Sequence, residues 1–197
     1  MDLHGKVALV TGGGTGLGKV ISLAFAREGM DVAVNYTKSE KEATETVGEL
    51  RALGVRAISV RADVSKAAEV NEMVDRVVKD LGRIDVLMNN AGATVFVPFQ
   101  DLDGVSEDDW DRIMAVNVKG TWLCTKAVAP IMKRQGAGRI IQTTSTAGLR
   151  AGGSSLPYSV SKAAGGMLTR GLALALAPEV TVNAVAPGLI DTRWGRA

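Results

Sequence analysis

The chain has 197 residues, of which 46% are hydrophobic and 22% charged, a composition that excludes an intrinsically disordered protein. Its 23 basic and 21 acidic residues leave a formal net charge of +2, which provides no basic footprint for nucleic acid. One cysteine, Cys124, and one histidine, His4, exclude an internal disulfide, a His/Cys metal site and a Ser-His-Asp triad.

The N-terminal sequence enters a strand pattern at Lys6 without the charged region, apolar stretch and cleavage site of a secretory signal. No apolar run approaches the roughly 18 residues that a membrane span requires. We therefore expect a cytoplasmic protein without a membrane partner.

Short apolar runs alternate with longer amphipathic stretches along the chain. The predicted strands are Val7–Thr11, Val32–Asn35, Ala57–Arg61, Val86–Asn89, Arg139–Thr143 and Val180–Val185. The predicted helices are Leu17–Glu28, Glu40–Leu53, Ala67–Leu81, Glu107–Gln135 with a break near Asn117, and Tyr158–Leu176. The strands are apolar without alternation, as expected when helices cover both faces of a sheet. This pattern predicts an α/β fold, a Rossmann-type, doubly wound parallel sheet of six strands in one domain.

A glycine-rich turn follows the first predicted strand, with glycines at three successive positions after Thr11 and again at Gly16 and Gly18. Glycine permits positive φ and lets backbone N–H groups approach a pyrophosphate at the start of a helix. A tight turn without a ligand is the alternative, because glycine motifs alone have a real false-positive rate. No Gly-Lys-Ser/Thr follows, which excludes a P-loop nucleotide hydrolase.

Tyr158 and Lys162 are four residues apart and therefore lie on one face of the last predicted helix. The ordinary pKa of tyrosine, about 10, is too high for efficient acid/base catalysis at neutral pH. A nearby lysine charge favours tyrosinate and should lower that pKa. The pair predicts a general acid/base that needs no histidine, and an ordinary amphipathic helix start is the alternative.

Two further polar residues stand at element boundaries. Ser145 follows the strand Arg139–Thr143, where its hydroxyl could bond a substrate oxygen that Tyr158 protonates, although several threonines crowd the same turn. Asn117 interrupts a helical stretch, and asparagine there favours local side-chain hydrogen bonding, so a plain kink is its alternative.

These motifs together resemble the short-chain dehydrogenase/reductase family. The turn Thr-Gly-x-x-x-Gly-x-Gly, the segment Asn89–Gly92, Asn117, Ser145, the Tyr158/Lys162 pair and Pro187-Gly188 follow the family's order and approximate spacing over essentially the whole chain. The chain is similar to 3-oxoacyl-[acyl-carrier-protein] reductases and to sugar dehydrogenases of this family. The resemblance implies hydride transfer between a nicotinamide cofactor and a small carbonyl or alcohol substrate.

The resemblance also implies roles for individual residues. Tyr158 would be the acid/base, Lys162 would lower its pKa and hold the nicotinamide ribose, and Ser145 would orient the substrate carbonyl. Asn117 would position a water that links Lys162 to solvent. No metal is implied.

The implied cofactor site combines the glycine turn with the ends of the strands. Asp63 and the following backbone N–H would contact adenine, and Pro187, Gly188 and Thr192 would lie against the nicotinamide carboxamide. The complete set is Gly12, Gly14, Thr15, Gly16, Leu17, Gly18, Asn35, Tyr36, Thr37, Asp63, Val64, Asn90, Ala91, Gly92, Tyr158, Lys162, Pro187, Gly188 and Thr192.

The end of the second strand bears on the choice between NADP and NAD. NAD-preferring sites usually place an acid there to bind the ribose hydroxyls, whereas this chain has Asn35-Tyr36-Thr37-Lys38. The missing acid and the nearby Lys38 favour NADP(H). Thr15 weighs against it, since many NADP-preferring relatives carry a basic residue at that position, and NAD(H) stays open.

The chain stops soon after Pro187-Gly188, where family members normally continue through a substrate-covering segment, another helix and a seventh strand. We therefore expect one dinucleotide-binding and catalytic domain over residues 1–197 that lacks the C-terminal substrate lid. A 3-oxoacyl-thioester or small ketone reductase is the favoured function. A catalytically incompetent, nucleotide-binding remnant and a sugar or polyol dehydrogenase are the alternatives.

The two longest helical stretches carry more apolar residues than one sheet face should bury. Trp122, Met132, Met167 and Leu168 are candidates for an exposed stripe, with ordinary core packing as the alternative. The resemblance implies that these helices pair across a two-fold axis, so we expect a homodimer or homotetramer.

Overall fold

A computed structural model describes residues 2–192. The strands are β1 Val7–Val10, β2 Asp31–Tyr36, β3 Ala57–Arg61, β4 Val86–Asn89, β5 Gly138–Thr143 and β6 Val180–Val185. The α-helices are α1 Gly16–Arg27, α2 Glu40–Ala52, α3 Ala67–Leu81, α4 Glu107–Met114, α5 Thr121–Arg134 and α6 Leu156–Leu176. A π-helical segment, Ala115–Gly120, joins α4 to α5, and a 3-10 turn, Thr146–Gly148, precedes α6.

The six strands form one parallel sheet in the order β3-β2-β1-β4-β5-β6, which confirms the predicted fold class. The order reverses between β1 and β4, so the connections after these strands leave in opposite directions. The crevice at the carboxyl ends of such strands is where open α/β sheets bind ligands.

Two apolar layers cover the sheet. On one face Leu9, Leu87 and Ile140 pack with α3 and α5, and on the other Val10 and Met88 pack with α1 and α2. Strands β1 and β4 are buried along their whole length, which explains their unbroken apolar sequences. The carboxyl ends of these two strands therefore project from a fully packed support.

The predicted break near Asn117 is confirmed, and its form is the π-helical segment Ala115–Gly120. Single π-helical turns inside α-helices are frequent at functional sites. Helix α6 begins at Leu156, two residues earlier than predicted, because Pro157 is tolerated in the first turn of a helix.

The expected stripe of apolar side chains is exposed only in part. Trp122 is 41% and Met167 is 65% exposed, whereas Met132 is fully buried in the core, which corrects its assignment to the stripe. Leu168 is half-buried. Within residues 2–192, no helix has both the length and the apolar character that crossing a membrane would require.

Candidate active site

The glycine turn connects β1 to α1 at the centre of the crevice. Gly12 has φ +62° and Gly16 has φ +50°, values in the left-handed region where glycine carries no steric penalty. No side chain of the described residues caps the first turn of α1, and this turn contains no acid. Its N–H groups are therefore suited to an anionic ligand such as a pyrophosphate.

Two other glycines of the turn are buried and serve close packing. A Cβ at Gly18 would lie 2.1 Å from the Gly12 carbonyl oxygen and 2.7 Å from Nδ2 of Asn90. A Cβ at Gly14 would lie 2.8 Å from Cα of Ala43 in α2. The turn thus presses against α2 on one side and the end of β4 on the other, while Thr15 and Leu17 are half-buried at its outer side.

Hydrogen bonds tie this turn to the end of β4. The Thr11 hydroxyl accepts hydrogen bonds from the backbone N–H groups of Asn90 and Ala91, at 2.9 and 3.0 Å. Nδ2 of Asn90 donates back to the Thr11 carbonyl at 3.0 Å. The Asn90 side chain therefore makes a hydrogen bond to the backbone of the glycine turn. Ala91 and Gly92, the next residues, are half-buried.

Asn35 supports the turn from the side of β2. Its side chain is 1% exposed, its Oδ1 accepts from the Gly12 N–H at 3.3 Å, and its Nδ2 donates to the Ala62 carbonyl at 3.0 Å. Asn35 was expected among the cofactor-binding residues, but its side-chain amide makes hydrogen bonds to the protein backbone at Gly12 and Ala62. Its neighbours Tyr36 and Thr37 are more exposed at the strand end.

Charged and polar groups surround the ends of β2 and β3. Tyr36 pairs in register with Arg61, and burial together with the charge of Glu40 raises the pKa of Tyr36. Burial would raise the pKa of Asp63, but hydrogen bonds from Ser65 outweigh it and keep that pKa below its ordinary value. Asp63 is therefore a carboxylate at neutral pH. The side chain of Val64, the next residue, is buried.

Ser145 and Tyr158 meet at the end of β5, as predicted. Ser145 caps the 3-10 turn by accepting from the Ala147 N–H at 3.1 Å, and its side chain is hydrogen-bonded to that of Tyr158. Burial raises the pKa of Tyr158, and the hydrogen bond with Ser145 lowers it by less. The expected lowering of the Tyr158 pKa is wrong as a net effect, because removal of the phenol from water is the larger influence. Stabilisation of the tyrosinate by the Lys162 charge stays a prediction.

Lys162 lies over the Tyr158 ring, with its Nζ 5.5 Å from the ring centroid. Its side chain is 8% exposed, and the Nζ donates to the Thr143 carbonyl at 2.7 Å. Burial lowers the pKa of Lys162 to about 8. At a pH near 8, the amine next to the phenol is therefore about half protonated.

Asn117 occupies the π-helical segment and is buried. Its Oδ1 accepts from the Ala93 N–H at 2.7 Å, and its Nδ2 donates to the Ala93 carbonyl at 3.0 Å and to the Ser161 hydroxyl at 2.9 Å. The side chain predicted to interrupt the helix therefore joins the loop after β4 to helix α6.

The segment after β6 returns to the same crevice. The Pro187 carbonyl accepts from the Thr146 N–H at 3.0 Å, which holds this segment, including Gly188, against the turn after Ser145. A Cβ at Gly16 would lie 3.7 Å from Cβ of Thr192, so Thr192 lies next to the glycine turn. The structure thus gathers the predicted residues from every strand end around one crevice.

Three supporting residues escaped sequence reasoning as site residues. Thr11 and Ser161 make the hydrogen bonds described above, and a Cβ at Gly148 would lie 2.5 Å from the backbone carbonyl carbon of Lys162. Thr11 had a usable signal, since it precedes the glycines. The other two depend on contacts between distant parts of the chain.

Comparisons with known proteins agree with this arrangement. Residues 6–197 match the family model described as short chain dehydrogenase. The chain is 44% identical to a 3-oxoacyl-[acyl-carrier-protein] reductase of Synechocystis over 193 residues, covering 96% of the chain and 76% of the relative.

Two solved structures are similar in fold and bind different cofactors. A short chain dehydrogenase of Burkholderia cenocepacia in complex with NADP has a TM-score of 0.91 and 40% identity, with 98% of this chain and 78% of that chain covered. A short chain dehydrogenase/reductase of Burkholderia phymatum in complex with NAD has a TM-score of 0.91 and 35% identity, with 98% and 68% covered.

Gly18→Ala should weaken NADPH binding by at least about tenfold and lower stability, because the new methyl group would displace the Gly12 carbonyl and Asn90. Calorimetry and thermal melting measure the two effects. Gly166→Ala in α6 is the matched control, since a Cβ there meets no atom within 4 Å. Equal NADPH affinities in both variants would show that the close approach is not needed.

Lys162 should make stability depend on pH. Its folded pKa of about 8 lies below its ordinary value of 10.5, so the unfolded state binds more protons between these values and stability increases as the pH rises. From about pH 8 to about pH 9.5, the wild-type free energy of unfolding should gain about 1–2 kcal/mol relative to Lys162→Met.

Urea unfolding of the cofactor-free proteins at both pH values measures this gain. Lys126→Met, which removes an exposed lysine, should follow the wild type. Identical pH dependence in wild type and Lys162→Met would contradict the shifted pKa.

Proposed function

Because the chain belongs to the short-chain dehydrogenase/reductase family of NAD(P)-dependent oxidoreductases, we propose that it reduces the carbonyl of a 3-oxoacyl thioester with NADPH. The observation that carries this proposal is the side-chain hydrogen bond between Ser145 and Tyr158, with Lys162 5.5 Å from the tyrosine ring. The relative named 3-oxoacyl-[acyl-carrier-protein] reductase supports the substrate class.

A nicotinamide cofactor held in the crevice would supply the hydride. Tyr158 donates its phenolic proton to the carbonyl oxygen as that oxygen gains negative charge. Burial favours the protonated phenol, which is the form needed for proton donation and therefore for reduction. Ser145 donates a hydrogen bond to the same oxygen and orients it toward Tyr158.

Lys162 has two proposed tasks at this site. Its amine holds the nicotinamide ribose, and its charge stabilises the tyrosinate that remains after proton transfer. A pKa of about 8 lets the amine exchange protons near neutral pH, so it is suited to return a proton to Tyr158. In this proposal the π-helical segment that contains Asn117 would position a water molecule linking Lys162 to solvent.

The cofactor itself would lie along the crevice. The backbone N–H groups of Gly16–Gly18 would take the pyrophosphate beside Gly12, whose own N–H donates to Asn35, and Asp63 would take the adenine amine. Ala91 and Gly92 would line the adenosine half, and the segment with Pro187, Gly188 and Thr192 would hold the carboxamide. Asn35 and Asn90 support this surface through their contacts with the glycine turn.

The surface at the end of β2 favours NADP(H). Thr37 and Lys38 are exposed there, and Arg61 lies beside Tyr36 on β3. A 2′-phosphate is attracted by these cations. Glu40 is the nearest acid along the chain and interacts with the hydroxyl of Tyr36.

A polyol dehydrogenase is the second candidate, favoured by one observation. The NAD⁺-bound structure of a xylitol dehydrogenase has a TM-score of 0.90 and 38% identity, with 96% of this chain and 72% of that chain covered. For either function we propose one catalytic domain and a homodimer paired through the exposed apolar residues of α5 and α6, Trp122 and Met167.

Tyr158→Phe should lower kcat with acetoacetyl-CoA and NADPH by at least about 100-fold, because the variant has no proton to donate. NADPH binding should persist, since the ring remains. Loss of NADPH absorbance measures turnover, and Val160→Ala, an exposed neighbour, is the control. Undiminished turnover in Tyr158→Phe would refute the assigned acid, and turnover of xylitol with NAD⁺ alone would favour the polyol reaction.

Lys38→Glu should lower kcat/KM for NADPH by about tenfold or more, because the new carboxylate repels a 2′-phosphate. The value for NADH, which has no such phosphate, should change by less than about threefold. Lys41→Glu, also exposed, is the control for a general charge effect. A wild-type preference for NADH, or equal losses with both cofactors, would contradict the assignment.

A further inference from the structure

The Ser161 hydroxyl connects the π-helical segment to the first turn of α6. It accepts a hydrogen bond from Nδ2 of Asn117 at 2.9 Å and donates to the Tyr158 carbonyl at 2.7 Å. Ser161 is 1% exposed and immediately precedes Lys162. One hydroxyl therefore bonds the backbone of the tyrosine and adjoins the lysine.

The other end of this connection is also fixed. Asn117 is held by two hydrogen bonds to the backbone of Ala93, in the loop that follows β4. Movement of the first turn of α6 would stretch the bond to Asn117 and transmit force to that loop. Ser161 thus joins the backbone of Tyr158, through Asn117, to the loop after β4.

Another hydroxyl of the same helix provides a contrast. Thr169 is also buried, and its hydroxyl donates to the Gly165 carbonyl of its own helix at 2.8 Å. Both hydroxyls donate to a carbonyl about one turn earlier in the helix, four residues back for Thr169 and three for Ser161. The bond from Asn117 is what distinguishes Ser161.

We propose that Ser161 is a positioning residue, which holds Tyr158 and Lys162 in their reactive orientation by linking their helix to Asn117. This role rests on the proposed function of Tyr158 as proton donor. Loss of the hydroxyl removes neither reactive group. It releases the turn that carries both, so it should reduce kcat more than cofactor affinity.

The kinetic test uses Ser161→Ala in the full chain with acetoacetyl-CoA and NADPH. We expect kcat to fall about tenfold, because small misplacements of reacting groups are costly, while the KM for NADPH stays within about twofold. Thr169→Val, which removes the other back-bonded hydroxyl, should retain wild-type kcat. Ser161→Cys, with weaker hydrogen bonds and similar volume, should fall between serine and alanine.

A double-mutant cycle tests the route through Asn117. In an Asn117→Ala background, the further change Ser161→Ala should lower kcat by less than about twofold, because the connecting hydrogen bond is already absent. Fully additive losses would show that Ser161 acts independently of Asn117 and would overturn the proposal.

A second measurement needs no substrate. The chain has two tyrosines, so Tyr158 is the only one left in Tyr36→Phe, and its ionisation can be followed by tyrosinate absorbance. Adding Ser161→Ala should move the titration midpoint down by roughly half a unit toward the ordinary tyrosine value, because a released ring loses part of its burial. Adding Thr169→Val should leave the midpoint unchanged.

The outcomes separate this proposal from the proposed function. A shifted midpoint with no wild-type turnover would leave the positioning of Tyr158 intact and reject the reductase. Turnover in the wild type, with both kcat and midpoint unchanged in Ser161→Ala, would reject the positioning role alone. Equal effects in Ser161→Ala and Thr169→Val would assign the loss to general helix destabilisation and also overturn it.

Discussion

Close approach between the turn after β1 and the end of β4 is the constraint on which the crevice depends. A Cβ at Gly18 would lie 2.1 Å from the Gly12 carbonyl oxygen, so only glycine lets α1 start where it does. The Thr11 hydroxyl then accepts from two successive N–H groups after β4. Because both strands are buried along their length, this contact sets the first turn of α1 relative to the loop that leads to Ala93.

Tyr158 and Lys162, the proposed reactive pair, are buried on this frame at an electrostatic cost. Burial lowers the pKa of Lys162 to about 8 and raises that of Tyr158, so both side chains are less readily charged than in water. The resulting loss of stability is offset by the apolar layers on both sheet faces. The fold thereby supplies a neutral phenol and a readily deprotonated amine side by side, an arrangement suited to proton transfer.

Much of the fold could be predicted from the spacing of apolar residues along the chain. Unbroken apolar strands such as Val7–Val10 require cover on both faces, and alternation with helices then requires a parallel sheet. Three strands match their predicted bounds, and the differences elsewhere are of one or two residues at the ends of elements. Helix ends are less predictable because they depend on local capping, as the start of α6 before Pro157 illustrates.

By itself, the sequence determined the sheet, the glycine turn and the spacing that brings Tyr158 and Lys162 to one helix face, because these depend on neighbours along the chain. Only the tertiary structure decided that the side-chain amides of Asn35 and Asn90 donate to backbone carbonyls and that Met132 is buried in the core. It also decided the sign of the Tyr158 pKa change, because removal from water depends on residues that pack around the ring from distant segments. The hydrogen bond between Asn117 and Ser161 joins residues 44 positions apart, a separation at which no local pattern carries information.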